Sequence, residues 1–242
     1  MRSLHGYRED IPDGRDFKYV LTVKSLPSSI DLRNKWIFKI ENQGSQGSCA
    51  ANATASAIEF VLSNSGDSPE VSRSFLYYMA RSLRNWQNQD TGSLIRDNIK
   101  VAASIGIASE FCMPYNDRDY KTPPSLKCLE EANRHKIGNY YSIDGIEQYK
   151  TCLSEGYPVI FGMYLFSQFM NNVGGKIEMP SGVSIGGHAM VMCGYDDAKE
   201  YLIIRNSWGP FWGDGGFAYL PYDYLRTDGW SDDAWTIREV KS

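Results

Sequence analysis

The 242-residue chain has no run of about 18 uncharged apolar residues, which excludes a transmembrane helix. It has no excess of positive charge: 25 Lys and Arg against 29 Asp and Glu leave a net charge of −4. Without a basic stripe to neutralise phosphates, nucleic acid is not expected as a partner, and a membrane surface is expected no more. Histidine is scarce, at His5, His135 and His188 alone, and no two cysteines are spaced C-x-x-C, so a structural zinc site lacks its ligands. No metal or organic cofactor is implied. The first 25 residues also lack an apolar core. Arg2, Arg8, Glu9, Asp10, Asp13, Arg15, Asp16, Lys18 and Lys24 interrupt it, so a signal peptide is not read there. The expected location is cytoplasmic or non-classical rather than through the endoplasmic reticulum.

What is present fits a packed monomeric globule of one or two domains: 42% hydrophobic and 22% charged residues are ordinary values for a chain that buries a core. Five cysteines, Cys49, Cys112, Cys128, Cys152 and Cys193, make an odd count, so at least one thiol is unpaired within the chain. Pro27 with Ser28 and Ser29 marks a boundary after a polar extension, residues 1–25.

From Cys49 to about Ser63, Ala50, Ala53, Ala57, Phe60 and Val61 follow helical spacing, and their small size predicts close packing. Further helices are expected over about 73–84 and from about Ser93, the latter stopped by Gly106. After Lys136 the pattern changes to short apolar runs at Val159–Phe166, Ala189–Cys193, Tyr201–Arg205 and Phe217–Leu220, separated by glycine-rich turns. A helical half followed by a strand half predicts an α+β fold with a cleft between, the strands forming a curled antiparallel sheet.

The loop Gln43-Gly44-Ser45-Gln46-Gly47-Ser48 runs straight into the helix at Cys49. A thiol at a helix N-terminus meets unpaired N–H groups and the positive end of the macrodipole, which favour the nucleophilic thiolate. Downstream, Gly186-Gly187-His188-Ala189 sets a histidine at a strand edge, and Arg205-Asn206-Ser207-Trp208-Gly209 supplies an amide able to orient an imidazole. Each alone also reads blandly, as a buried structural thiol, a satisfied core histidine and a turn residue.

Together they resemble the papain-like cysteine peptidases, which include the plant enzymes and the animal cathepsins. The order Gln43, Cys49, His188, Asn206 runs at intervals of 6, 139 and 18 residues, and the local wording Asn42-Gln43-Gly44-Ser45, Gly47-Ser48-Cys49, His188-Ala189 and Asn206-Ser207-Trp208-Gly209 matches over roughly residues 26–242. The resemblance implies a two-domain fold, with a helical domain at about 38–138 and a β-barrel-like domain at about 139–242 plus 26–37.

It also implies roles. Cys49 attacks the peptide carbonyl, His188 is general acid and base, Asn206 orients His188, and the Gln43 amide supplies an oxyanion donor. Trp208 shields the His188–Asn206 bond. Gly92 and Ser93 take the substrate backbone, and Gly162, Gly187 and Ala189 line the pocket for the second residue before the cut, with its floor expected from Asp223–Trp230. The expected activity is that of an endopeptidase on polypeptides, since no histidine-bearing insertion turns it toward dipeptide removal.

The alternatives are a catalytically silent peptide-binding relative and an isopeptide or amide hydrolase with the same thiol chemistry. Three features depart from the family. Gln46 stands where a disulfide cysteine is usual, Ala50 replaces the aromatic that follows the nucleophile, and the extension is far shorter than a usual propeptide. That extension is expected either to brace the surface or to lie across the cleft as an inhibitor. The sequon Asn52-Ala53-Thr54 falls in the central helix, where a glycan would not fit.

Overall fold

Ala50, Ala51, Ala53, Ala55 and Ala57, all buried, let a central helix α1 (Cys49–Asn64) be packed on every side. The computed structural model describes residues 6–20, 25–64, 66, 70–170, 172, 174–227 and 231–241; His5 and residues 228–230 lie outside these. Two short strands, β1 (Tyr7–Arg8) and β2 (Ser29–Asp31), precede α1. After it come α2 (Arg73–Ser82), β3 (Ser93–Leu94), α3 (Ile95–Ser104), α4 (Leu126–Ala132), β4 (Lys136–Ile137) and β5 (Tyr140–Ser142). The second half holds α5 (Ile146–Ser154), β6 (Val159–Leu165), α6 (Ser167–Met170), β7 (Gly186–Asp196), β8 (Tyr201–Arg205), β9 (Phe217–Pro221), α7 (Tyr222–Arg226), β10 (Ser231–Ile237) and β11 (Val240–Lys241).

The third helix begins two residues later than its periodicity suggests, because Ser93 and Leu94 are drawn out to pair with β1. Its end is as expected: Gly106 (φ 122°) turns the chain where a Cβ would strike the Ala132 carbonyl. Cys112 and Cys128 form a disulfide, leaving Cys49, Cys152 and Cys193 as buried free thiols.

The main sheet is antiparallel in the order β5-β10-β6-β7-β8-β9, with β2 continuing the β6 side of β7 at the far end of that strand. It does not close into a barrel. Its two edges are taken by other extended segments: residues 17–19 exchange backbone hydrogen bonds with Ser142 of β5, and Gly175 and Ile177 do so with Tyr219 of β9. With both edges already paired, neither is left for the other.

α1 separates two apolar clusters. Ile58 and Val61 join Phe75, Ile95 and Ile99 of the helical side, while Phe60 reaches the sheet side, packing tilted against Trp36 at 4.4 Å between ring centroids. The N-terminus of α1 and the first residues of β7 therefore face one another across the boundary.

Candidate active site

Cys49 is the first residue of α1, and Ser48 closes the helix start: its carbonyl accepts from the Asn52 N–H at 2.9 Å. Asn52 itself is 2% exposed, and its side chain donates to the Ser48 carbonyl and hydroxyl, which leaves no room for a glycan. The loop before Cys49 is pinned from the side. The Gly47 N–H donates to Asp90 Oδ1 at 3.0 Å, and the Tyr77 hydroxyl donates to that same oxygen while accepting from the Gly92 N–H. Gln46 donates to the Asn116 carbonyl. Segments that the family resemblance expects to be joined by a disulfide are held here by one carboxylate.

His188 is the third residue of β7, and Asn206 follows β8 directly, so two neighbouring strands carry the pair. His188 Nε2 lies 2.7 Å from Asn206 Oδ1. Since an amide oxygen only accepts, Nε2 carries the proton, leaving the other ring nitrogen for the cleft. Oδ1 also accepts from the Ser207 N–H at 2.8 Å. Trp208 covers the pair, its ring 4.7 Å from the imidazole.

Gln43 is brought alongside by an antiparallel crossing in which its N–H donates to the Ser207 carbonyl and the Gly209 N–H donates to the Glu41 carbonyl. Its side chain is committed at both ends: Nε2 donates to the Gln46 carbonyl at 2.9 Å, and Oε1 accepts from the Ser207 hydroxyl at 2.7 Å.

The cleft is occupied by the chain itself. A Cβ on Gly6 would stand 2.8 Å from Cys49 Sγ, so the backbone lies directly over that thiol, and only glycine fits there. The Ser93 N–H donates to the Gly6 carbonyl at 3.1 Å, and β1 pairs with β3 in parallel, Tyr7 opposite Ser93. Tyr7 then drops into the pocket predicted from Gly162 and Gly187, where a Cβ on either glycine would collide with its ring. Ala189 lies in the same buried cluster as Tyr7 and Cys49. At the pocket's inner end the Tyr7 hydroxyl donates to Asp233 Oδ2 at 2.5 Å. The group that meets the tip of Tyr7 is thus Asp233, beyond the expected Asp223–Trp230 stretch; of that stretch, residues 223–226 form α7.

Covered in this way, Cys49 is fully buried. Burial pushes its thiol up to about 12, outweighing the backbone N–H groups of Ala189, Ala50 and Cys49 that favour the thiolate. The macrodipole argument from sequence is correct in sign, but desolvation wins while the strap is in place.

Residues 10–16 continue the strap. Asp10 accepts from the Trp235 indole at 3.0 Å and from the Arg96 N–H, while its own N–H donates to Asp233 Oδ2 at 2.6 Å. Arg96 grips Asp16 through two hydrogen bonds, at 3.1 and 2.6 Å, with both side chains 8% exposed. None of Asp90, Arg96 or Asp233 stood out in the sequence. Each works through a partner more than 40 positions away, and no local spacing announces it. Among the described residues there is no cluster of three metal-ligating side chains and no helix long and apolar enough to cross a membrane.

A thiol heading a buried helix, with the backbone N–H of Ala189 against it and an amide-held imidazole on the preceding residue of the same strand, is an arrangement found in thiol hydrolases. Comparison with known proteins gives the family: the model of the papain family cysteine proteases matches residues 26–232, and the chain belongs to that family. It is a cysteine protease of papain-like fold. It is similar to xylellain, a cysteine protease from Xylella fastidiosa, at 35% identity and TM-score 0.92 over 98% of this chain and 96% of that one. A peptidase C1-like protein of Acanthamoeba polyphaga mimivirus is 31% identical over 97% of this chain and 86% of its own length. The digestive procathepsin L 3 of Tenebrio molitor larval midgut shares the fold at TM-score 0.80 and 21% identity, covering 98% of this chain and 77% of that one.

Proposed function

We propose that the chain is a latent thiol endopeptidase in which Cys49 is the nucleophile, His188 the general acid and base, Asn206 its orienting amide and Gln43 an oxyanion donor, with residues 6–16 as a tethered inhibitor. In the reaction Cys49 Sγ adds to the scissile carbonyl, and the imidazolium of His188 protonates the departing amine. Water, deprotonated by the same imidazole, then cleaves the thioester. The Cys49 N–H and the second N–H of Gln43 Nε2 would receive the oxyanion, and loss of one such donor costs about 100- to 1000-fold in rate.

The observation that carries the reading is Gly6 over Cys49 with Tyr7 in the pocket. The strap occupies the places of a substrate yet runs the other way. In a substrate the side chain for this pocket precedes the bond to be cut, whereas Tyr7 follows the residue lying over the thiol. The Gly6 carbonyl is meanwhile held by Ser93. That carbonyl is not presented for attack. Endopeptidase action is favoured because the sequence holds no paired histidines of the kind that an insertion capping one end of the cleft would carry.

The test is covalent capture of Cys49 by an epoxide thiol-protease inhibitor, read by mass spectrometry with Cys49→Ala as control. Gly6→Ala, which cannot lie over Sγ, is expected to label at least about tenfold faster than the parent chain and to cleave an internal bond of a 20-residue peptide. Equal labelling rates would remove the strap from the mechanism; an adduct elsewhere than Cys49 would remove the nucleophile.

A further inference from the structure

Asn206 Oδ1 is doubly engaged by His188 and Ser207, but its Nδ2 has no protein partner among the described residues, although Asn206 is 3% exposed. A second orphan, Glu41 Oε1, is also buried. Both residues wall one small cavity of about 10 Å³, together with Asn52, Ser56, Ala189 and Arg205. That is the space of about a single water, and a buried polar site of this size with a donor and an acceptor on its wall suits one. A donor and an acceptor left unmet on the same wall is an arrangement native interiors avoid.

We propose that the cavity binds one structural water, which accepts from Asn206 Nδ2 and donates to Glu41 Oε1, and that Glu41 is thereby a positioning residue for the His188–Asn206 pair. The polarity follows from the carboxylate. Glu41 Oε2 is held by Arg73 at 2.7 Å, so Oε1 stays aimed into the cavity as a fixed acceptor. A water that donates to it turns a lone pair towards Nδ2. If the Asn206 amide flipped, its NH2 would face the proton on His188 Nε2 and the Ser207 N–H, donor against donor, whereas the bridge through the water to Glu41 Oε1 meets Nδ2 in the orientation that keeps both of those bonds. The water therefore locks the rotamer from behind, and the hydrogen bond that sets the His188 tautomer is fixed at both ends of the amide. Glu41 also holds the Gly209 N–H through its main-chain carbonyl, a contact that any residue at this position keeps.

The kinetic part of the test rests on the proposed peptidase reading; the structural part does not. In a high-resolution crystal structure of the full chain, a water is expected within hydrogen-bond distance of both Asn206 Nδ2 and Glu41 Oε1. With Arg73 retaining an oxygen partner, Glu41→Gln turns an NH2 into the cavity and reverses its polarity. This change is expected to lower kcat about tenfold with KM within about twofold. It should also move the alkaline limb of the pH profile to lower pH, because a looser Asn206 supports the His188 imidazolium less. In an Asn206→Ala background the same change is expected to do nothing further to kcat.

Glu110→Gln is the control. Glu110 shares Arg73 at 3.2 Å but does not line the cavity, so its replacement leaves the profile in place. A dry cavity, a water bonded to neither atom, or an equal effect of Glu41→Gln with and without Asn206 would each overturn the proposal. Should the parent chain turn over no peptide, the peptidase reading fails by itself. The His188 imidazole titration followed by NMR then still decides between a shift in Glu41→Gln, as expected, and none.

Discussion

At position 6 the absence of a side chain is what lets the chain pass over Cys49 Sγ, and at position 233 a single carboxylate meets the phenol of the residue that follows. The second contact carries a prediction about substrates. A pocket whose inner end is an acceptor discriminates against side chains that leave it unpaired, so tyrosine is expected there in preference to leucine. In the Gly6→Ala chain, peptides with tyrosine before the residue at the cut should have a kcat/KM at least about tenfold above the leucine equivalents. Asp233→Leu should reverse the order; an unchanged ranking would sink the assignment. Cys49, His188 and Asn206 were legible in the sequence because residue type, order and neighbouring words all agree. Asp233 was not, since its role arises only where a strand near the C-terminus meets the first described residues, 226 positions away. Glu41, two residues before Gln43, reads as a surface acid until Arg73 and the cavity are seen around it.

Among the elements, the strap is where pH acts. Burial first, and then the Asp233 charge, push the Asp10 carboxyl up to about 7, against the pull of Arg96 and Trp235. Burial raises Asp233 too, with Glu9 adding to it and Tyr7, the Asp10 N–H and Arg96 opposing. Undocked, Asp10 returns to an ordinary carboxylate value near 3.8. A group raised on docking contributes fully below its free value and loses that contribution as pH climbs through its docked one. The strap is therefore held most firmly below about pH 4 and loosens as pH climbs from there to about 7. The labelling rate of Cys49 in the parent chain, taken relative to Gly6→Ala at each pH, is expected to rise between about pH 4 and 7 and to level off above, and Asp10→Asn should flatten that rise. A ratio that stays constant would contradict it.

Elements differ in how plainly they were written in the sequence. α1 and the strands from β6 to β9 were legible from their apolar periods. β10 was not, because Asp232 and Asp233 near its start look like a turn. α5 was hidden because Ile146, Tyr149, Cys152 and Leu153 keep a helical period inside a half dominated by strands. That the sheet stays open has a reason that no period records: its edges are taken by segments 17–19 and 175–177.

For the molecule as a whole, the helical side carries the one disulfide among the described residues and the sheet side carries Cys152 and Cys193 unpaired. Cys112–Cys128 closes a separation of 16 residues, which in the chain-entropy picture stabilises by about 3 kcal/mol. Replacing both by serine is expected to lower Tm by roughly 6–12 °C in a chain of this size, without changing the labelling rate of Cys49. A change in labelling instead would mean that the disulfide fixes the contacts Tyr115 and Asn116 make with the loop before Cys49.

The strap, finally, is part of the same chain as the cleft it fills, joined to it by the residues between Asp16 and Cys49. A separate inhibitor would fall away on dilution, whereas a tethered one holds an effective concentration on the order of millimolar however dilute the protein is. Substrates present at micromolar levels compete against that fixed local excess. The proposed latency would therefore be independent of how much of the protein is present, and release would require a change in the strap itself, by proton, protease or a partner that captures it.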